Sequence, residues 1–301
     1  MARVDPFKDP IKGPLIIRED EGPTRGSSHR GGGRQSKLFG FNDPEHGITV
    51  RASIARYTPE RLNPRHKHVD EVVRYFYRGG EIYGKDVLQE GDCIYIPEGV
   101  SYGPTRTADG YDENRRIVFH FPGPSGLKTP VVPEVLRAQK EMPEKGLGRF
   151  EKGIFVWADG RKQDSFEAIH EYLTGGKVQY PEARYHDYVI MRQGKFPWVP
   201  LDDVAGVKVR HLGFFNERGP NIKIVKMDPK SETPAGKASF LQVRYILEGE
   251  ISYESEIYAA VSCMLIPAGA AHSSTSTSTG ATLLVIQLGV SGGKPPDFCS
   301  I

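Results

Sequence analysis

Cysteine is scarce in this 301-residue chain, and the three present, Cys93, Cys263 and Cys299, are dispersed. An odd and scattered set argues against a disulfide framework and against a Cys-rich zinc site. No uninterrupted apolar run approaches the roughly 18 residues that a membrane-spanning helix needs. Neither sign of charge dominates: 40 Lys+Arg face 38 Asp+Glu, a net charge of +2. Without a basic excess to neutralise phosphates or anionic lipid, neither nucleic acid nor a membrane is an expected partner. The opening MARVDPFKDP has no apolar core of the secretory kind, so a cytoplasmic location is expected. Long helical periodicity is rare too. In its place stand 34 Gly and 23 Pro, which favour a turn-rich, all-β protein. At roughly 150 residues per domain the length suggests about two domains.

The chain repeats itself. Shifted by 170 residues, Pro64–Tyr102 aligns without a gap to Pro234–His272, and 11 of the 39 positions are identical. They are Pro64, Lys67, Val73, Arg74, Tyr75, Gly79, Tyr83, Cys93, Ile96, Pro97 and Gly99. Chance would give about two or three, so internal duplication is the first inference. Matched glycines and prolines fix turns, which points to two copies of one β domain. Each copy reads as a strand (VVRYFYRGG; QVRYILEGE), a polar turn, a strand ending in Pro-x-Gly (CIYIPEGV; CMLIPAGA) and a last strand (RRIVFHF; TLLVIQL). Both copies continue to a Ser-Gly, Ser125-Gly126 and Ser291-Gly292.

Between the copies, VVPEVLRAQKEM reads as a short helix. Asp164 with Glu167 resembles a capping box opening a second helix, SFEAIHEYLTGG, which Gly175-Gly176 would end. The expected organisation is a flexible arm over 1–37, a barrel over 38–126, a helical and aromatic-loop linker over 127–200 and a second barrel over 201–301. The arm segment TRGSSHRGGGRQSK lacks apolar periodicity and reads as a solvated tail or a substrate lid. SSTSTSTG (273–280) reads as a polar loop.

The spacing of Arg65-His66-Lys67-His68, Gly79, Gly91-Asp92 and Ile96-Pro97-Glu98-Gly99 resembles the cupin pattern of His-x-His, Gly, Gly-Asp and Pro-x-Gly. The second copy keeps Gly249, Pro267, Gly269 and a closing His272. The resemblance covers both repeats. It implies a bicupin, two jelly-roll β-barrels in tandem with short linking helices.

Alternation along a strand puts His66 and His68 on one face, with Val72, Arg74 and Phe76 on the same face where no bulge intervenes. Two imidazoles so placed can chelate one divalent metal, with iron, zinc, copper or nickel favoured over magnesium or calcium. In metal cupins a Glu and a final His complete the set. Here Val72 and Tyr102 stand at those positions, and Glu71 is one residue out of phase. The expected ligands are therefore His66, His68 and Tyr102, with His120 a further inward imidazole. The second copy has Gly236 and Ala238 in place of the two histidines and Gln242 in place of the Glu, so it is expected to be metal-free.

Arg74 and Arg244 share the inward parity. An inward guanidinium needs an anionic partner, either a substrate carboxylate or an internal Glu or Asp. Cys93 and Cys263 read as buried fillers, and His29, His46, His170, His186 and His211 as surface or hydrogen-bonded residues.

The resemblance thus implies an enzyme acting on a small acidic, perhaps aromatic, metabolite through an iron-dependent dioxygenase site in the N-terminal barrel. His66, His68 and Tyr102 would hold the metal, and Arg74, Arg244, Gln242 and His120 would bind substrate. The alternatives are a metal-independent isomerase or cyclase, with Tyr102 and His272 as acid–base residues, and a binding protein without catalysis. No nucleotide cofactor is expected, and a homodimer is compatible with this organisation.

Overall fold

The computed structural model describes residues 11–18, 21, 24–26, 34–43, 48–127, 130, 132–217 and 219–289. His29, His46, Cys299, Ser291-Gly292 and the glycine-rich part of the expected arm lie outside the described residues. The described chain is mostly β, with two α-helices, and it divides into two compact units. The N-terminal unit takes 24–38 and 53–190, and the C-terminal unit takes 1–23, 39–52 and 191–301.

In the N-terminal unit, Glu71–Arg78 is flanked by Asp92–Ile96 and Asn114–Phe121, both antiparallel. Val72 and Phe76 turn inward with Ile94, Ile96, Tyr83, Tyr102 and Val118 to form the core. In the C-terminal unit, Leu241–Tyr253 is flanked by Cys263–Ile266 and Ala281–Leu288. Ile246, Met264, Ile266, Leu283 and Val285 lie in its core. The registers match at the repeat offset: Val72 faces Ile96 and Arg74 faces Ile94 in one unit, Gln242 faces Ile266 and Arg244 faces Met264 in the other. The bridge between His66 and Tyr102 likewise recurs as the pairing of Gly236 with His272.

The shared glycines have a steric cause. Gly79 and Gly249 adopt φ of 75° and 73°. A Cβ on either would fall 2.4 Å from Glu113 O or 2.1 Å from Gly280 O, closer than any side chain allows.

Three segments differ from expectation. Leu15–Ile17, inside the stretch read as a free arm, is a strand that pairs with Cys263, Met264 and Leu265. Thr275–Ser276, inside the polar run, pairs with Glu232–Thr233 and with Ser252–Tyr253. Between the copies lie the two expected helices, Val132–Glu144 and Ser165–Thr174. A three-stranded meander of Gly148–Glu151, Ile154–Trp157 and Lys162–Asp164 accompanies them. Val135, Ala138, Met142, Phe155, Ala168 and Ile169 bury this subassembly's own small core. Asp164 caps the second helix, accepting from the Phe166 and Glu167 N–H groups, while Gly175 closes it in the left-handed conformation. Glu167, the expected reciprocal half of the box, accepts from the Tyr180 hydroxyl.

Cys93 and Cys263 are fully buried, and burial pushes both thiols up. Their place as fillers agrees with the structure. No described helix is long and apolar enough to cross a membrane.

Candidate functional site

The backbone carries His66, His68 and Asp70 along one edge of the N-terminal unit, and the bridge at His66 brings Tyr102 beside them. The Tyr102 hydroxyl is the meeting point. It lies 2.8 Å from His66 Nε2 and 2.8 Å from His68 Nε2, and Arg74 Nη2 donates to it from the core. Arg74 also donates to the Tyr83 hydroxyl, and the Tyr83 and Tyr102 rings stack at 5.7 Å. Tyr102 is 1% exposed and His66 8%.

The histidine tautomers follow from the other ring nitrogens. His66 Nδ1 lies 2.7 Å from Pro64 O. A carbonyl can only accept, so Nδ1 carries the proton and Nε2 presents its lone pair to Tyr102. Asn63 Nδ2, at 3.4 Å from the same Nδ1, is the weaker contact. His68 Nδ1 faces Asp70 Oδ1 at 3.6 Å, which orients its Nε2 in the same sense. Two lone pairs thus converge on a hydroxyl that has one proton to give. A second proton on one imidazole, or a cation between the three atoms, completes the balance.

His120 reaches the same edge. Its Nδ1 stands 3.3 Å from Asp70 Oδ2, and its ring lies 5.2 Å from that of His68. His68, Asp70 and His120 offer ligand atoms within 4.8 Å of one another. Asp70 was not singled out in the sequence, although it continues the alternation His66, His68, Asp70. That parity was the available signal.

The expectation of an internal Asp or Glu against Arg74 or Arg244 is not met. Arg74 is partnered by phenols, which, with Tyr57, outweigh burial and hold it above the ordinary arginine value. Arg244 donates from Nε and Nη2 to Gln242 Oε1 at 3.1 and 2.9 Å. The buried ion pair of the N-terminal unit is instead Arg116 with Glu81. Burial, reinforced by the Arg74 and Arg61 charges, pushes Arg116 down to about 9. Neither Arg116 nor Glu81 was anticipated. Tyr83 was visible only as a residue identical in both copies.

Glu71, expected to point away from the interior, is 2% exposed and so covered on its own face. His272 is half-buried and hydrogen-bonded through Nδ1 to Ser273 O at 3.1 Å. Burial lowers its pKa, and the Arg244 charge adds to that. His170 contacts Thr174 and Gly176 O on an exposed helix face, and His186 is exposed.

Residues 186–291 match the ChrR cupin-like domain family, about a third of the chain. No curated protein matches the chain. Among solved structures, a candidate dioxygenase from Nostoc punctiforme superposes with a TM-score of 0.63 at 13% identity, covering 96% of this chain and 85% of that one. An oxalate decarboxylase variant from Bacillus subtilis gives 0.56 at 12% identity, covering 96% and 80%. A formate complex of the Lactobacillus farciminis oxalate decarboxylase gives 0.55 at 11%, covering 94% and 86%. At such identities the likeness concerns the fold. Together with the matched domain it supports the cupin superfamily and a jelly-roll architecture for this chain.

Proposed function

We propose that the chain is a two-copy cupin enzyme for a small acidic metabolite, with its chemistry at a divalent metal centre of the N-terminal unit. The observation that carries this reading is the convergence of His66 Nε2 and His68 Nε2 on the Tyr102 oxygen, each at 2.8 Å. Adjacent ligands on an ion with bonds of about 2.1 Å stand about 3 Å apart, so the donor set fits such an ion. Two imidazoles and one phenolic oxygen parallel the two-histidine, one-carboxylate set of non-haem iron oxygenases. An iron(II) ion held by His66, His68 and Tyr102 would supply reactivity with dioxygen.

The protein's own groups then have defined parts. Pro64 O and Asp70 hold the two imidazoles with their Nε2 lone pairs inward, the usual role of groups behind metal ligands. Arg74 favours an anionic Tyr102 oxygen and sets positive potential in the interior, where a substrate carboxylate is attracted. His120, paired with Asp70, lies on the side where the site is less deeply buried and is assigned to substrate orientation.

A second reading rests on Arg74 itself, a cation directly on the Tyr102 oxygen. In it Tyr102 and His68, the latter oriented by Asp70, exchange a proton with the substrate and no metal takes part.

Elemental analysis of the purified full chain, before and after anaerobic iron reconstitution, separates the two. The metal reading predicts stoichiometric metal in the wild type, its loss in His66→Ala/His68→Ala, and dioxygen uptake with a hydroxylated aromatic acid. Turnover by metal-free protein would replace it with the acid–base reading. Metal retained by the double variant would move the centre elsewhere.

A further inference from the structure

Beside the convergence on Tyr102, the same edge of the N-terminal unit carries a second set of donors. His68 and Asp70 continue one face of the chain, and His120 comes to them from the last strand, where it pairs with Val72. His120 has the parity of Val118 and Arg116, both buried, so its ring enters from the interior face. His68 offers Nδ1 here, because its Nε2 is turned to Tyr102.

The separations are long for hydrogen bonds and right for ligands of one ion. His68 Nδ1 stands 3.6 Å from Asp70 Oδ1, beyond hydrogen-bond range. His120 Nδ1 is nearly equidistant from both oxygens of that carboxylate, 3.4 Å from Oδ1 and 3.3 Å from Oδ2. A charge-assisted hydrogen bond would select one oxygen at about 2.8 Å. Ligands of a tetrahedral ion with bonds of about 2.1 Å stand about 3.4 Å apart, which is the spacing of the carboxylate from the imidazoles. The three ligand atoms all lie within 4.8 Å of one another, and a turn of the His120 side chain closes the imidazole pair on an ion. The His68 and His120 side chains remain 14% and 18% exposed, so water can reach the position and complete the coordination.

The second copy lacks the whole set. His68 and Asp70 become Ala238 and Phe240 at the repeat offset. Gln287, which faces Gln242 as His120 faces Val72, takes the place of His120. None of the three positions keeps an imidazole or a carboxylate, as expected of residues that serve one ion together.

We propose that His68 Nδ1, Asp70 and His120 Nδ1 hold a second divalent ion, of the zinc or iron(II) class that two imidazoles and a carboxylate favour. His120 then carries its one proton on Nε2. Where His68 Nε2 is taken by the ion of the centre proposed above, the second ion displaces the remaining His68 proton to solvent. The ring becomes an imidazolate bridging two ions. The bridge rests on that centre, whereas the position on His68, Asp70 and His120 does not.

Metal-free full chain saturated with zinc and desalted should hold two ions. Asp70→Asn, His120→Ala and His66→Ala should each hold one, and His68→Ala fewer than one. Copper(II) in place of zinc reads the bridge. Exchange through an imidazolate pairs the two spins, so the doubly loaded wild type should give far less low-temperature paramagnetic resonance signal than two isolated ions. His120→Ala should give the full signal of its single ion. Wild-type zinc content in Asp70→Asn and His120→Ala would overturn the second position, and a full two-ion copper signal would overturn the bridge. A single wild-type ion lost in His120→Ala and kept in His66→Ala would sustain this position and remove the centre on Tyr102. The reverse pattern would sustain that centre and overturn this proposal. Asp70→Asn, nearly isosteric, carries the test should His120→Ala not fold.

Discussion

Replacing Tyr102 with Phe removes one oxygen and leaves the ring in place, so the effect isolates what the hydroxyl holds. That oxygen accepts from a buried guanidinium and shares its proton with two imidazoles. A hydrogen bond to a charged group contributes about 1.5–3 kcal/mol and a neutral one about 0.5–1.5 kcal/mol. Arg74 keeps its bond to Tyr83, which places the expected loss near the middle of the sum, about 2–4 kcal/mol. For units of this size each kcal/mol moves Tm by about 2–4 °C, so the N-terminal unit should melt roughly 5–15 °C lower.

On the proposed metal-centre reading, metal affinity should follow the same oxygen. As a third donor its loss should weaken binding by at least the roughly 10–100-fold typical of groups behind the ligands. Chemical denaturation gives the first number and competitive chelation the second, with His272→Ala, the equivalent position of the other unit, expected to leave metal affinity unchanged. A variant within 0.5 kcal/mol of wild type, the ordinary effect of a neutral surface substitution, would show that the hydroxyl is not a structural hub. Lost stability with unchanged metal affinity would remove Tyr102 from the ligand set.

Two further outcomes concern stability. Val261 adopts φ of 73°, where the first copy has Gly91 at 87°, and both donate N–H to the equivalent carbonyl, Ile246 O and Phe76 O. A β-branched residue in the left-handed region costs about 1–2 kcal/mol, so Val261→Gly should raise the denaturation midpoint by about 1 kcal/mol despite the freer unfolded chain; a lowered midpoint would contradict the strain. Burial acts to raise the Glu113 carboxyl, but Arg56 and Arg115 outweigh it and hold it below the ordinary 4.5. A depressed folded-state pKa gives stability that is present above the unfolded value and lost as pH falls through the folded one. Glu113→Gln should therefore be less stable than wild type at neutral pH and approach it below about pH 4, while a constant gap from pH 3 to 7 would rule the linkage out.

The architecture was legible because the repeat preserves what the backbone requires. Gly79 and Gly249 answer the same clash, and Arg74 and Arg244 occupy the same register, so the 170-residue offset carried strand pairing directly. The site was legible only in part. Alternation and motif spacing pointed to His66, His68, Tyr102 and Arg74, and the structure brings all four together. Asp70 was accessible to the same parity argument. Arg116 and Glu81 were not, since they meet across strands well apart in sequence and neither belongs to a periodic pattern. The meander around Phe155 was missed because its strands are only 3–4 residues long, too short for alternation to register.

The interior differences between the copies come in matched sets. Arg116 and Glu81 form a buried pair in the N-terminal unit. The registers place Leu283 at the position of Arg116, facing Ile246 as Arg116 faces Phe76, and the offset places Ile251 at that of Glu81. Losing one member would strand a buried charge at a cost of about 3–5 kcal/mol, whereas exchanging both for apolar residues is neutral or stabilising. The pair was therefore exchangeable only as a unit, and Leu283 and Ile251 now pack in one core. The two arginines shared by the copies never depended on those carboxylates. Arg74 donates to the Tyr83 and Tyr102 hydroxyls and Arg244 to the Gln242 amide, so the exchange of Glu81 for Ile251 and of Asp70 for Phe240 left the hydrogen bonding of this register position to neutral acceptors in both copies.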